Sequence, residues 1–187
     1  MRIISGLFRG KKIFEPKNKL TRPLKDLTKE SIFNILKHSN KFSVKLVGSN
    51  ILDLFSGVGS FGIECLSREA EQVIFIENYS GVLPILKKNL LSLKKNVKYK
   101  IIEKDIYQNE IFLRLNIKFD IIFCDPPYKY KNLEDIFIKI KQANILNENG
   151  IIIIHRHKND EDFSSSGFEI LEQKKYGISK IIFVSLN

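Results

Sequence analysis

The stretch Ile121-Ile122-Phe123-Cys124-Asp125-Pro126-Pro127-Tyr128 decides how this chain folds. Four apolar residues read as a strand covered on both faces, and two consecutive prolines then forbid its continuation. Neither proline offers a ladder N–H, and each fixes φ. The chain must leave the sheet there, at the carboxyl edge, which is where open α/β sheets bind ligands. Asp125 is left as a hydrogen-bond acceptor in a stiff loop beside the aromatic ring of Tyr128. Such a loop can hold an amino group edge-on while the ring stacks on the base that carries it.

Outward from this point, short apolar runs alternate with helical spacing. Ile51–Phe55, Val73–Glu77, Val97–Glu103, Phe119–Cys124, Gly150–His155, Phe168–Lys174 and Ile178–Leu186 read as seven strands. Phe61–Arg68, Ser80–Leu93, Tyr107–Leu115 and Leu133–Ala143 read as helices between them. Alternation of this kind implies right-handed crossovers and a mostly parallel sheet. The last two strands are separated only by Tyr176-Gly177 and are expected to form an antiparallel C-terminal hairpin. The fold class is therefore α/β, Rossmann-like.

Residues 1–50 differ in character. They carry twelve Lys/Arg against three acids, so nearly all of the formal charge of +10 sits in this quarter of the chain. A localised basic segment on a nearly neutral body suits a polyanion docked at one face. A Lys-rich solvated surface is the plainer alternative. Ile3-Ile4, Gly6, Gly10 and Lys12–Phe14 suggest a β-hairpin, and Asp26 is expected to cap a helix through His38. Leu27, Ile32, Phe33, Ile35 and Leu36 would form that helix's apolar face. Residues 1–45 are thus expected to be a basic, polyanion-contacting extension on a catalytic domain of residues 46–187. Arg2, Arg9, Lys11, Lys12 and Arg22 are its candidate phosphate contacts.

About seventy residues before Asp125, Asp53-Leu54-Phe55-Ser56-Gly57-Val58-Gly59-Ser60-Phe61-Gly62 supplies a second loop. Gly57, Gly59 and Gly62 stand in G-x-G-x-x-G order just after a strand, as in dinucleotide sites. Glu77, twenty residues past Gly57, has the spacing of a ribose-binding acid. So far the pattern says only that an adenosine-containing cofactor fits. Asp53 tilts it toward S-adenosylmethionine, because a carboxylate there would repel a pyrophosphate but could hold the ammonium of a methionine moiety. Asp105 is placed to take the adenine amino group, or else is an ordinary helix N-cap, and Ile106 could pack on the ring. Phe55 and Asn78 complete the candidate cofactor set.

An exocyclic base amine is a weak nucleophile whose lone pair is delocalised. Its methylation needs in-line placement and stabilisation of the positive charge that the nitrogen gains, and it needs no metal. Asp125 and the Pro126 carbonyl can each accept an N–H, Pro127 stiffens the loop, and Tyr128 offers the stacking face. His155-Arg156-His157 superficially suggests a metal site, but no third ligand is apparent. A strand-end polar group near the substrate, or solvent exposure, fits it better. Cys65 and Cys124 read as small buried hydrophobes. No signal-peptide core or apolar run of membrane length is present, so a cytoplasmic protein is expected.

These motifs together resemble the bacterial small-subunit ribosomal RNA guanine-N2 methyltransferases of the RsmD type. The similarity runs nearly end to end. Arg2-Ile3-Ile4-Ser5-Gly6 with Arg9-Gly10-Lys11-Lys12 resembles the opening hairpin of that family. Arg22-Pro23, Asp26, Glu30 and Phe33-Asn34-Ile35-Leu36 resemble its next segment, and Tyr176-Gly177 is similar too. The glycine loop and Asp125–Tyr128 are shared with many amino-methyltransferases, so the N-terminal motifs narrow the family. Departures stand at Leu24, Leu27, Lys29 and His155, the last near a position where an acid is expected. The resemblance implies a class I S-adenosylmethionine-dependent enzyme that modifies one guanine of 16S rRNA in an assembling small subunit, as a monomer. A DNA adenine-N6 methyltransferase, an NAD-dependent oxidoreductase and a non-catalytic rRNA-binding assembly factor are the alternatives.

Overall fold

The computed structural model describes residues 1–16, 24–93, 96–108, 110–127, 133–160, 163 and 165–187. Their elements follow the order α1 (Asp26–His38), β1 (Asn50–Leu54), α2 (Ser60–Ser67), β2 (Gln72–Ile76), α3 (Leu83–Leu91), β3 (Lys98–Ile102), β4 (Phe119–Cys124), α4 (Leu133–Ala143), β5 (Leu146–His157), β6 (Phe168–Tyr176) and β7 (Ser179–Leu186). The strands form one seven-stranded sheet in the order β3-β2-β1-β4-β5-β7-β6. All neighbouring pairs from β3 through β5 are parallel, whereas β7 runs antiparallel to both β5 and β6. The expected hairpin is present, with β7 inserted inside the edge strand β6. Strand order reverses between β1 and β4, and the crevice for a ligand opens at such a switch point.

Alternation along the strands sorts the core into two layers. Ile51, Val73, Phe75, Ile121, Phe123, Ile151, Ile153, Ile181 and Phe183 face α1, α2, α3 and the N-terminal segment. Leu52, Leu54, Ile74, Ile122, Cys124, Ile152 and Ile154 face α4 and residues 106–115. Every residue of α2 is buried, because the helix is wedged between the sheet and the N-terminal segment. Phe61 on α2 stacks on Phe123 at 4.1 Å and on Phe33 of α1 at 5.3 Å. Ile3, Phe8, Ile13, Ile32 and Phe33 belong to the same apolar cluster as the sheet.

Several expected elements differ. The N-terminal hairpin is present but short: Arg2 and Lys12 form an antiparallel bridge, flanked by Ile3 N–H to Lys11 O, Gly10 N–H to Ile3 O and Ile13 N–H to Met1 O. It is also bonded to α2, where Ile4 and Ser5 N–H donate to the Glu64 carboxylate and Phe8 N–H donates to Ser67 Oγ. Asp26 is not the cap of α1. Lys25 holds that position, and Asp26 lies in the first turn, where its charge complements the helix dipole. Leu27 is 70% exposed, and α1 buries Thr28, Lys29, Ile32 and Phe33. The helix is rotated so that Lys29 reaches Glu64 at 3.6 Å, both side chains being fully buried. The described residues between Tyr107 and Leu115 form successive turns rather than a helix, largely through i to i+3 bonds. That tighter path lets Ile106, Ile111, Phe112 and Leu115 all reach the second layer. Helix α3 starts at Leu83 rather than Ser80, since Pro84, which lacks an N–H, fits the first turn.

Candidate active site

Strands β1 and β4 are neighbours in register, with Leu54 opposite Cys124. The glycine loop and the Asp125-Pro126-Pro127 turn therefore leave the sheet side by side at its carboxyl edge. Sequence placed them about seventy residues apart, and the parallel register brings them together. Tyr128 and Arg22 lie outside the described residues.

The glycine loop is held from three sides. Ser56 N–H donates to Ile76 O at the end of β2, and Gly57 N–H donates to Glu77 Oε2 at 2.7 Å. Asn89 on α3 donates to Val58 O and to Phe14 O, tying the loop to the N-terminal segment. Gly59 adopts φ +83°, and a Cβ there would sit 2.6 Å from Leu86 Cδ1. Gly62 serves packing, because its Cβ would fall 2.4 Å from the Phe75 ring. The Ser56 hydroxyl is buried with no hydrogen-bond partner among the described residues. An orphaned polar atom in such a loop suits a ligand that supplies the missing bond.

The acids around the loop are arranged in layers. Asp53 is 1% exposed, and its Oδ2 accepts the Gly62 N–H at 2.9 Å. Burial pushes its carboxyl well above the ordinary value; the Gly62 bond opposes this, and the charges of Asp125 and Glu77 add to it. Glu77 is buried, and its Oε1 accepts the N–H groups of Asn78 and Tyr79. Asn78 itself is exposed. Asp105 accepts the Tyr107 N–H at 3.0 Å, so it does local turn service of the N-cap type. Ile106 is buried in the second apolar layer, and Phe55 (φ +56°) lies 6.5 Å from the Tyr107 ring. Carboxylates at the end of three adjacent strands make a rim that suits a cationic ligand and repels a pyrophosphate.

Asp53→Asn probes this rim. A folded-state carboxyl raised above its unfolded value loses stability as pH climbs from the unfolded value through the folded one. Asn keeps an acceptor for Gly62 without that cost. The cofactor-free variant should melt a few degrees higher at pH 7, the gain shrinking toward acid, while calorimetry should show weaker cofactor binding. A parent-like melting point at every pH would refute the buried-charge assignment.

Asp125 is partly exposed, at 24%, and Pro126 is buried. His155 Nδ1 lies 2.8 Å from Asp125 Oδ1, and His155 Nε2 lies 2.9 Å from Ser179 Oγ. Sequence reasoning left this partner unidentified, since 30 and 24 residues separate the three groups and only strand register joins them. Arg156 pairs with Asp160 at 2.9 Å, and His157 Nδ1 accepts the Asn159 N–H. Cys65 and Cys124 are buried free thiols that burial pushes up in pKa, and both are therefore inert.

Of the basic residues, Arg2, Arg9 and Lys12 are exposed, whereas the Lys11 ammonium donates to Ser92 O at the end of α3. A cavity of about 470 Å³ opens at the opposite edge of the sheet, lined in part by Lys45, Asp120, Asn147 and Glu148. Asp120 is occupied there as a brace, accepting from Asn50 N–H and Asn147 Nδ2. No helix among the described residues is long and apolar enough to cross a membrane.

Known proteins are similar to this chain along nearly its whole length. The Haemophilus influenzae protein named Ribosomal RNA small subunit methyltransferase D is 33% identical over 182 residues, covering 95% of this chain and 90% of that protein. A solved Escherichia coli structure, the candidate methyltransferase yhhF, matches with TM-score 0.82 and 26% identity over 100% of this chain and 97% of that one. A candidate methylase from Haemophilus influenzae matches with TM-score 0.73 and 31% identity, over 98% of this chain and 96% of that one. The fold is thus that of a Rossmann-like S-adenosylmethionine-dependent methyltransferase. A family model described as "Conserved hypothetical protein 95" matches residues 1–185, and the chain belongs to that family, the RsmD family of ribosomal RNA methyltransferases.

Proposed function

We propose that this protein methylates the exocyclic N2 amine of a guanine in 16S rRNA, using S-adenosylmethionine, on an assembling small subunit. The observation that supports this reading is the pairing of β1 with β4, which sets Asp125 beside a glycine loop rimmed with carboxylates. The rim and the orphaned Ser56 hydroxyl fit S-adenosylmethionine, with Glu77 toward the ribose, Asp53 toward the ammonium and Asp105 toward the adenine. When bound, the cofactor would supply an electrophilic methyl carbon on a sulfonium, its S–C bond breaking as the N–C bond forms and the neutral thioether being the leaving group.

The protein's own part is orientation and charge. Asp125 and the Pro126 carbonyl accept the two N–H bonds of the amine, which aims the nitrogen lone pair at the methyl carbon. As the N–C bond forms, positive charge grows on nitrogen and Asp125 stabilises it. One amine proton then leaves to Asp125 or to water. Tyr128, by its place in the motif, gives the base a stacking face worth ~1–3 kcal/mol. The test is transfer of a labelled methyl to small-subunit particles, naked 16S rRNA and duplex DNA in parallel. Label should enter guanine of rRNA; label in DNA adenine would instead favour the rival specificity.

Arg9 and Lys12 lie exposed on the N-terminal segment and serve as phosphate partners in this scheme. Replacing both with Gln should lower RNA affinity and reduce the slope of log affinity against log salt by ~1 for each cation removed from a phosphate. An unaltered slope would place the RNA on another face.

A further inference from the structure

We infer that His155, backed by Ser179, is a positioning residue of the methyl transfer: it grips one oxygen of Asp125 and leaves the other for the substrate amine. The inference rests on Asp125 being the amine acceptor. Ile154 pairs with Cys124 across β5 and β4, so the next residues, His155 and Asp125, emerge side by side. His155 shares its strand face with Ile151 and Ile153, on the side of the sheet where Asp53 meets α2. Ser179, at the start of β7, shares a face with Ile181, which is the register partner of His155.

The hydrogen-bond chemistry orders the chain. A carboxylate only accepts, so Nδ1 carries the proton that goes to Asp125 Oδ1. In the neutral ring Nε2 is then an acceptor, and the Ser179 hydroxyl donates to it. Asp125 thereby fixes the tautomer, and the Ser179 hydroxyl, able to donate or accept, satisfies Nε2 and holds the ring in place against Asp125. Both supports are buried, His155 at 7% and Ser179 at 4% exposure, so neither swings freely.

Asp125 needs such a tether. Its charge and that of Asp53 repel across the rim, and Asp125 alone of the two has an exposed path away. The cations next to His155 and Ser179 in sequence are engaged with residue 160, Arg156 with the Asp160 carboxylate and Lys180 with the Asp160 carbonyl. An unrestrained carboxylate would turn outward, and misplacement by about 1 Å in such a site can cost ~100-fold in rate.

The test compares His155→Asn with His155→Gln, alongside His155→Ala, Ser179→Ala and Asp125→Ala, in the full chain. Asn places its amide N–H near the former Nδ1 and can still donate to Asp125. Gln places its amide near the former Nε2, toward Ser179, and cannot. His155→Ala and His155→Gln should lower kcat by about 10- to 100-fold with KM for RNA and cofactor Kd little changed. His155→Asn should recover most of the loss, and Ser179→Ala should lose severalfold. Equal rates for the Asn and Gln variants, or a loss confined to KM, would overturn the inference. If those two are equal while Asp125→Ala is inactive, only the role of His155 falls. If Asp125→Ala retains turnover, the functional assignment of Asp125 falls with it.

Discussion

Asp125→Ala should lower single-turnover methyl transfer by about 100- to 1,000-fold, equivalent to ~3–4 kcal/mol of transition-state stabilisation. The reason is differential. The carboxylate meets a neutral amine in the ground state and a developing cation in the transition state, so its removal strikes kcat rather than binding. Cofactor affinity measured by calorimetry should stay near that of the parent, because the groups assigned to the cofactor lie at or just past the ends of β1, β2 and β3 and in the glycine loop. Asp125→Asn should retain part of the activity, since it keeps one acceptor oxygen but loses the charge. Full turnover in Asp125→Ala would remove the amine acceptor from the scheme. Equal loss of turnover and cofactor binding would instead make Asp125 part of the donor site.

Glu64→Ala should be the most damaging single change to the fold, costing ~3–5 kcal/mol, the range for stranding one partner of a buried ion pair. Glu64 is fully buried in the middle of α2 and serves three elements at once. Its Oε1 accepts from Ser5 N–H and Arg68 Nε, and its Oε2 accepts from Ile4 N–H and faces Lys29. Burial pushes the Lys29 ammonium below its ordinary pKa, and the attraction of Glu64 is the largest effect opposing that. Without Glu64, two backbone N–H groups lose their acceptor, and the buried Lys29 ammonium keeps only the Arg2 carbonyl at 2.7 Å and the Asp26 carboxylate at 3.8 Å. Glu64→Gln should cost less, because one carbonyl remains to accept. Denaturant midpoints converted to free energies check this; a loss below ~1 kcal/mol for Glu64→Ala would show that the N-terminal segment is held by its apolar contacts alone. Natural domains have only ~5–15 kcal/mol in total, so the Ala variant should also lose cofactor and RNA binding at elevated temperature.

The sheet was legible because its strands are covered on both faces and so appear as continuous runs such as Ile151–Ile154. The two loops were legible because Pro126-Pro127 and the glycines mark places where regular structure must stop. Side-chain partnerships that depend on register were not. Nothing local to His155 points to Asp125 or Ser179; only the parallel pairing of β4 with β5 and the antiparallel pairing of β5 with β7 make them neighbours. Nothing local in the sequence marks Glu64 as buried; its burial follows from the N-terminal segment closing over α2. Likewise nothing local marks Lys29 as buried, although it packs inside against Glu64 while Leu27 turns out. Asn89, which joins Val58 to Phe14, gave no signal at all in a lysine-rich helix. Propensity also misjudged residues 107–115, where packing against the sheet overrode helical spacing.

Mass-spectrometric mapping of methylated nucleosides in 16S rRNA, treated with the parent protein or with Asp125→Ala, tests the central assignment most directly. The expected result is one new N2-methylguanosine with the parent and none with the variant. Methyl groups on a different base or atom, none on rRNA at all, or the same product from both proteins would contradict it.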